Sequence, residues 1–148
     1  MPDYPQSVSE VIDLTAKYRP AVLAAVRRFA ASKPYRGTLE ERRAKFATLN
    51  RELAAAYDVE PPILVFEGDG TGDSGASCYS PATRTITMRG RLSMISLTHE
   101  WSHFRHGRSE RKACHWSLNL FRRCFPTSWQ RLRFEGHMVR RDDHTPSS

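Results

Sequence analysis

The sequence predicts an α+β fold, with helices first, a small sheet in the middle and polar helices behind it. Three observations carry this. Two Ser/Thr-x-x-Glu boxes open helical patterns within the first sixty residues. A Pro-Pro pair then introduces short runs of strand type, one of them alternating about a turn. Beyond Gly90 the apolar residues return to helical spacing and stay there to Pro126.

Ser7-Val8-Ser9-Glu10 reads as the first capping box, starting an amphipathic helix through Val11, Leu14 and Tyr18 that Pro20 ends or kinks. Residues 21–31 resume the helix in helix-favouring residues, and Lys33-Pro34-Tyr35-Arg36-Gly37 breaks it. Thr38-Leu39-Glu40-Glu41 is the second box and predicts a helix to Tyr57, with Leu39, Phe46, Leu49 and Leu53 on one face. Residues 63–66 (Ile-Leu-Val-Phe) predict a strand, and residues 68–75, rich in Gly and Asp, a loop that could serve as a lid. Residues 76–79 and 85–88 flank a turn containing Pro81 and predict a hairpin. A helix carrying Leu92, Ile95, His99 and His103 follows, closed by Gly107. Ser109 caps the next, from Glu110 to Cys124, and a shorter helix spans 127–134. The expected organisation is one domain over 1–148, with a helical scaffold to residue 60, a site-bearing core over 61–126 and a frayed tail at 140–148.

Composition excludes several classes. No apolar run approaches the roughly 18 residues of a membrane span, and the first residues lack the basic and apolar regions of a secretory signal. Three cysteines, Cys78, Cys114 and Cys124, make an odd count without paired spacing, so reduced thiols and a cytoplasmic location are expected. The net charge of +7 is concentrated: residues 84–141 hold thirteen basic and three acidic residues, against ten and thirteen elsewhere. That half should attract nucleic acid or another anionic partner, through Arg105, Arg108, Arg111, Lys112, Arg122, Arg123, Arg131 and Arg133, with Trp101, Trp116 and Trp129 interleaved. A solvated arginine-rich surface is the plainer alternative. The glycine-rich loop lacks the Gly-Lys-Ser/Thr ending of a phosphate loop and the closing Glu of a calcium loop.

His99-Glu100-Trp101-Ser102-His103 concentrates the chemistry. Histidines four apart share a helix face, roughly 6 Å apart along the axis, so both imidazoles can address one metal ion. Glu100, about 100° round from His99, can reach a water there without being a ligand. This is the H-E-x-x-H pattern of zinc sites with a glutamate base. Zinc needs a third protein ligand, leaving a position open for catalysis. Glu110 opens the next helix and is the first candidate; Cys114 and His115 lie further along it, and His137 is remote. His106 shares the face but lies about 7.5 Å beyond the centre of the pair, and reads as a helix C-terminal histidine favoured by the macrodipole.

Strand, glycine-rich loop, hairpin, H-E-x-x-H helix and a following Glu-x-x-Ala helix, over residues 63–126, resemble the small gluzincin metallopeptidases. The likeness is to the compact ImmA/IrrE-type domains of phages and mobile elements, and it implies a zincin-like (minigluzincin) fold. It also implies zinc ligands His99, His103 and Glu110 and a catalytic base at Glu100. The sequence departs from that family in its short gap between His103 and Glu110 and in Cys114-His115-Trp116, where Asn and aromatic or small residues are usual. SprT-like proteases, which act at DNA, are a fainter likeness that accords with the basic surface.

The reaction implied is metal-assisted peptide hydrolysis, with an extended substrate adding to the strand at 76–79 or 85–88. Tyr79 or His137 could donate to the developing oxyanion. Rival nucleophiles have no support: there is no Gly-x-Ser-x-Gly elbow, and Cys114 and His115 are helical neighbours that cannot face each other. The competing class is a basic binding module with a structural metal or merely packed histidines.

Overall fold

A computed structural model describes residues 3–71 and 77–133. The order is helices α1 (Pro20–Ala31) and α2 (Leu39–Tyr57), strands β1 (Ile63–Glu67), β2 (Cys78–Ser80) and β3 (Thr85–Arg89), then helices α3 (Met94–His106), α4 (Glu110–Cys124) and α5 (Pro126–Arg133). The fold is α+β. Among the described residues no helix is long and apolar enough to cross a membrane. Predicted residue Phe134, His137 and the 140–148 tail lie outside the described residues, as do the second half of the glycine-rich loop and Ala76.

α1 begins at Pro20, whose missing N–H costs nothing in a first turn, and Arg19 before it is extended at ψ 140°. Val22, Ala25, Val26 and Phe29 form its buried stripe. In α2 the capping box forms as predicted: Thr38 Oγ1 accepts from the N–H of Glu41, and the Glu41 carboxylate accepts from the N–H of Thr38. Phe46, Leu49 and Leu53 face inward against α1, with the Phe29 and Phe46 rings edge to face at 4.9 Å.

The first box fails. Val8–Glu10 is only a single 3-10 turn; Ser7 Oγ pairs with Ser9 instead of capping it, and Glu10 Oε2 accepts from the N–H of Gln6. Nor does Pro20 end or kink a helix there. The reason lies 100 residues away. Asn119 of α4 accepts from the N–H of Asp13 and donates to the Val11 carbonyl, Arg123 donates to the Ala16 carbonyl, and Tyr18 donates to the Trp116 carbonyl. Backbone groups that a helix would need for itself are bonded to α4, so residues 11–18 run along that helix as a clasp.

The sheet order is β1-β3-β2, with β3 parallel to β1 and antiparallel to β2. The predicted hairpin is present, in the register Tyr79 opposite Ile86. β3 is therefore central: both of its edges are taken, and residues 85–88 cannot receive a peptide by strand addition. Ile86 and Met88 of β3 point into the core, whereas Ile63 and Val65 of β1 are exposed on the outer face.

α3 is the most buried helix. Trp101, fully buried, donates from Nε1 to Asn50 Oδ1 on α2, and Asn50 Nδ2 donates in turn to the Pro62 carbonyl ahead of β1. Stacking on Tyr57 at 5.6 Å completes the anchor. Trp116 and Trp129 are buried too, so the three tryptophans belong to the core and not to a stacking surface among the arginines.

Candidate metal centre

α3 and α4 pack against each other more extensively than any other pair of elements, and their interface holds the polar residues. Ser93 caps α3 through the N–H of Ser96, while Ser109 caps α4 through the N–H of Lys112. The chain reverses at Gly107, so the first turn of α4 lies beside the last turns of α3. That brings Glu110 to the two histidines despite the short gap between them.

A single oxygen, Glu110 Oε1, lies 2.9 Å from His99 Nε2 and 3.2 Å from His103 Nε2. The imidazole rings are 5.0 Å apart between centroids. The ligand atoms of these three residues all fall within 4.8 Å of one another, a group that could hold a metal ion. Two imidazoles and one carboxylate match the donor chemistry of a half-open zinc site, so the residues present fit the ion that the motif implies. Burial is graded: the side chain of His99 is 3% exposed, that of His103 13% and that of Glu110 25%. The site is therefore backed by the core and opens to solvent on the Glu110 side.

Charge in the cluster is set by its hydrogen bonds. Burial opposes ionisation of Glu110, but the bonds from His103 and His99 outweigh it and hold the carboxyl down to about 2. Burial likewise works against a proton on His103, whose pKa is nevertheless raised by Glu110 and by the Gly107 carbonyl. His103 Nδ1 donates to that carbonyl at 2.8 Å, leaving Nε2 as the nitrogen turned to the cluster.

Cys114 and His115 are not third ligands in this arrangement. Cys114 Sγ is 3.9 Å from His99 Nδ1, behind the ring, and burial, followed by the charges of Glu110 and Asp3, pushes its thiol up to about 12. His115 turns outward to Asp13 Oδ2 at 2.9 Å, as one bond of the clasp. His106 departs from the expected role of a charged C-terminal histidine. Burial, with Lys112 and Arg105 nearby, lowers its pKa to about 4; the ring sits edge-on to Trp116 and its Nδ1 pairs with Ser102 Oγ.

Glu100 is buried at 2% exposure on α3, beside His99 in the chain. Tyr79, on the edge strand β2, packs edge-on against Phe104, the residue after His103, with 5.7 Å between centroids. His137 lies outside the described residues. Asp3 is a neighbour that motif reading misses: its carboxylate accepts from Ser109 Oγ at 2.6 Å and from the N–H of Glu110 at 2.7 Å, fixing the turn that presents Glu110. Only its placement in space reveals it, because a carboxylate 107 positions away leaves no local pattern.

The chain matches no family model, no curated protein and no solved structure.

Proposed function

We propose that this protein is a zinc-dependent peptidase of the gluzincin kind. The observation that carries the reading is the convergence of His99, His103 and Glu110 from two helices on one point, with Glu100 inside the same helical turn. The three converging side chains would hold zinc. When bound in such a site, zinc polarises a carbonyl and brings the pKa of a water toward about 7.

The chain's own residues divide the remaining work. Glu100 accepts a proton from the attacking water and delivers it to the leaving amine, a role suited to a carboxylate held away from bulk solvent. His103 keeps its Nε2 turned to the site through the Nδ1 bond to Gly107. An extended substrate pairs with the outer edge of β2, since β3 is enclosed; Tyr79 is on that strand, next to Phe104 of α3. We assign Tyr79 the hydrogen bond to the developing oxyanion.

The test is zinc stoichiometry together with hydrolysis of fluorescein-labelled casein by the full chain. Purified protein should bind one zinc, and Glu100→Gln should keep the metal yet lose about a hundredfold or more in turnover. Glu110→Ala should lose the metal. Zinc binding without hydrolysis, or full turnover by Glu100→Gln, would falsify the peptidase reading.

A further inference from the structure

We propose a second site, for a small anion that carries an apolar group, in the cleft at the N-terminal end of α3. The cleft is open to solvent, has a volume of about 570 Å³ and is built by Tyr35, α2, Gly70, the segment before α3, α3 itself, α4 and α5. Arg42, Arg91 and Arg131 line it, and among the described residues no acidic side chain does. None of the three guanidiniums is in an ion pair among the described residues. Arg42 alone is tethered, donating from Nε to the Gly37 carbonyl at 3.2 Å.

A second cleft, beside residues 10–13 and the start of α4, differs in charge. There Arg111 and Lys112 are accompanied by Glu10 and Asp13, and the Arg111–Glu10 pair already compensates part of the charge. In the α3 cleft three positive residues from separate parts of the chain line a partly apolar wall, with no counter-charge among the described residues. Such a geometry concentrates positive potential and draws an anion. Guanidinium groups present paired N–H donors that match phosphate and carboxylate oxygens.

Leu92, Ile95 and Phe121 supply the apolar lining. A bare inorganic ion would leave that surface against water, whereas an aryl or alkyl phosphate or carboxylate covers it. A volume within the range of small-molecule pockets favours a compact ligand over a polymer strand. The helix end is not the recognising element: the N–H of Met94 is bonded to Tyr35 Oη and that of Ser96 to Ser93 Oγ. The cleft is also separate from the metal centre, since Ser93 precedes His99 by about 9 Å of helix rise.

Phenyl phosphate, benzoate and inorganic phosphate, each titrated into the full chain in EDTA-containing buffer by calorimetry, test this. Metal coordination is then removed as a source of anion binding. Phenyl phosphate or benzoate should bind saturably and at least tenfold more tightly than inorganic phosphate. The double variant Arg91→Gln/Arg131→Gln should weaken that binding at least tenfold while leaving the urea unfolding midpoint unchanged, both side chains being exposed. Equal affinity for all three probes, or unaltered binding by the variant, overturns the proposal. So does a variant that loses duplex DNA binding while keeping phenyl phosphate, because the arginines would then serve a polyanion.

Discussion

Gly107 grips His103 from both sides. Its N–H donates to the His103 carbonyl, and its own carbonyl accepts from His103 Nδ1. It does so at φ 103° and ψ −160°, a conformation that side-chain-bearing residues avoid. A Cβ at this position would meet nothing within 4 Å, so the cost of Gly107→Ala is conformational and not steric. We expect that substitution to destabilise the protein by about 1–3 kcal/mol, read from urea unfolding, and to weaken zinc binding as the imidazole loses its fixed orientation. Unchanged stability would mean that alanine adopts this backbone freely and that the grip is incidental. At this scale the sequence is informative wherever chemistry depends on spacing. His99 and His103 are one helical turn apart by construction, and Glu110 is the first candidate for a third donor on a neighbouring element, a choice that spacing alone leaves open against Cys114 and His115. Asp3 and the placement of Cys114 behind His99 depend on packing across the chain, to which no local pattern refers.

Among the elements, the clasp of residues 11–18 shows most clearly how a local signal is overridden. Two capping boxes of the same type have opposite outcomes: Thr38 caps a 19-residue helix, while Ser7 caps none. After Thr38 the chain presents a continuous apolar face to α1. After Ser7 its carbonyls and amides are taken by Asn119 and Arg123, while its own Tyr18 hydroxyl donates to the Trp116 carbonyl of α4, a tertiary arrangement that outweighs a capping contribution of about 1 kcal/mol. The hairpin was legible from its turn and alternation, whereas the central position of β3 was not, because parallel pairing with β1 is a long-range choice. Asn119 is the pivot of the clasp, buried at 4% exposure and bonded to Asp13 N, the Val11 carbonyl and the His115 carbonyl. Asn119→Ala leaves two of the clasp's backbone groups without their partner, so we expect a loss of about 2–4 kcal/mol in urea unfolding. A loss below about 0.5 kcal/mol would show that water replaces the side chain and that the clasp contributes little.

Across the whole molecule, charge and aromatic content have come apart. Within the basic stretch, Arg105, Arg108, Lys112 and Arg131 are exposed among the described residues. Trp101, Trp116 and Trp129, interleaved with those arginines in the sequence, are spent on the core. Interleaving in sequence therefore does not give interleaving on the surface, because a helix buries the aromatic stripe and turns its charged face outward. We propose that such a surface binds a polyanion through its phosphates, without base stacking. We expect duplex and single-stranded DNA 20-mers to bind with similar, modest affinity in fluorescence anisotropy. Neutralising about four phosphates predicts a slope of log affinity against log salt of roughly −3 to −4, the steeper value for duplex. Tryptophan emission should stay unchanged on DNA addition, since bases cannot reach the buried indoles. A strong single-strand preference accompanied by tryptophan quenching would require an indole at the interface and would contradict the core assignment; affinity insensitive to salt would remove the electrostatic basis for a nucleic-acid partner altogether.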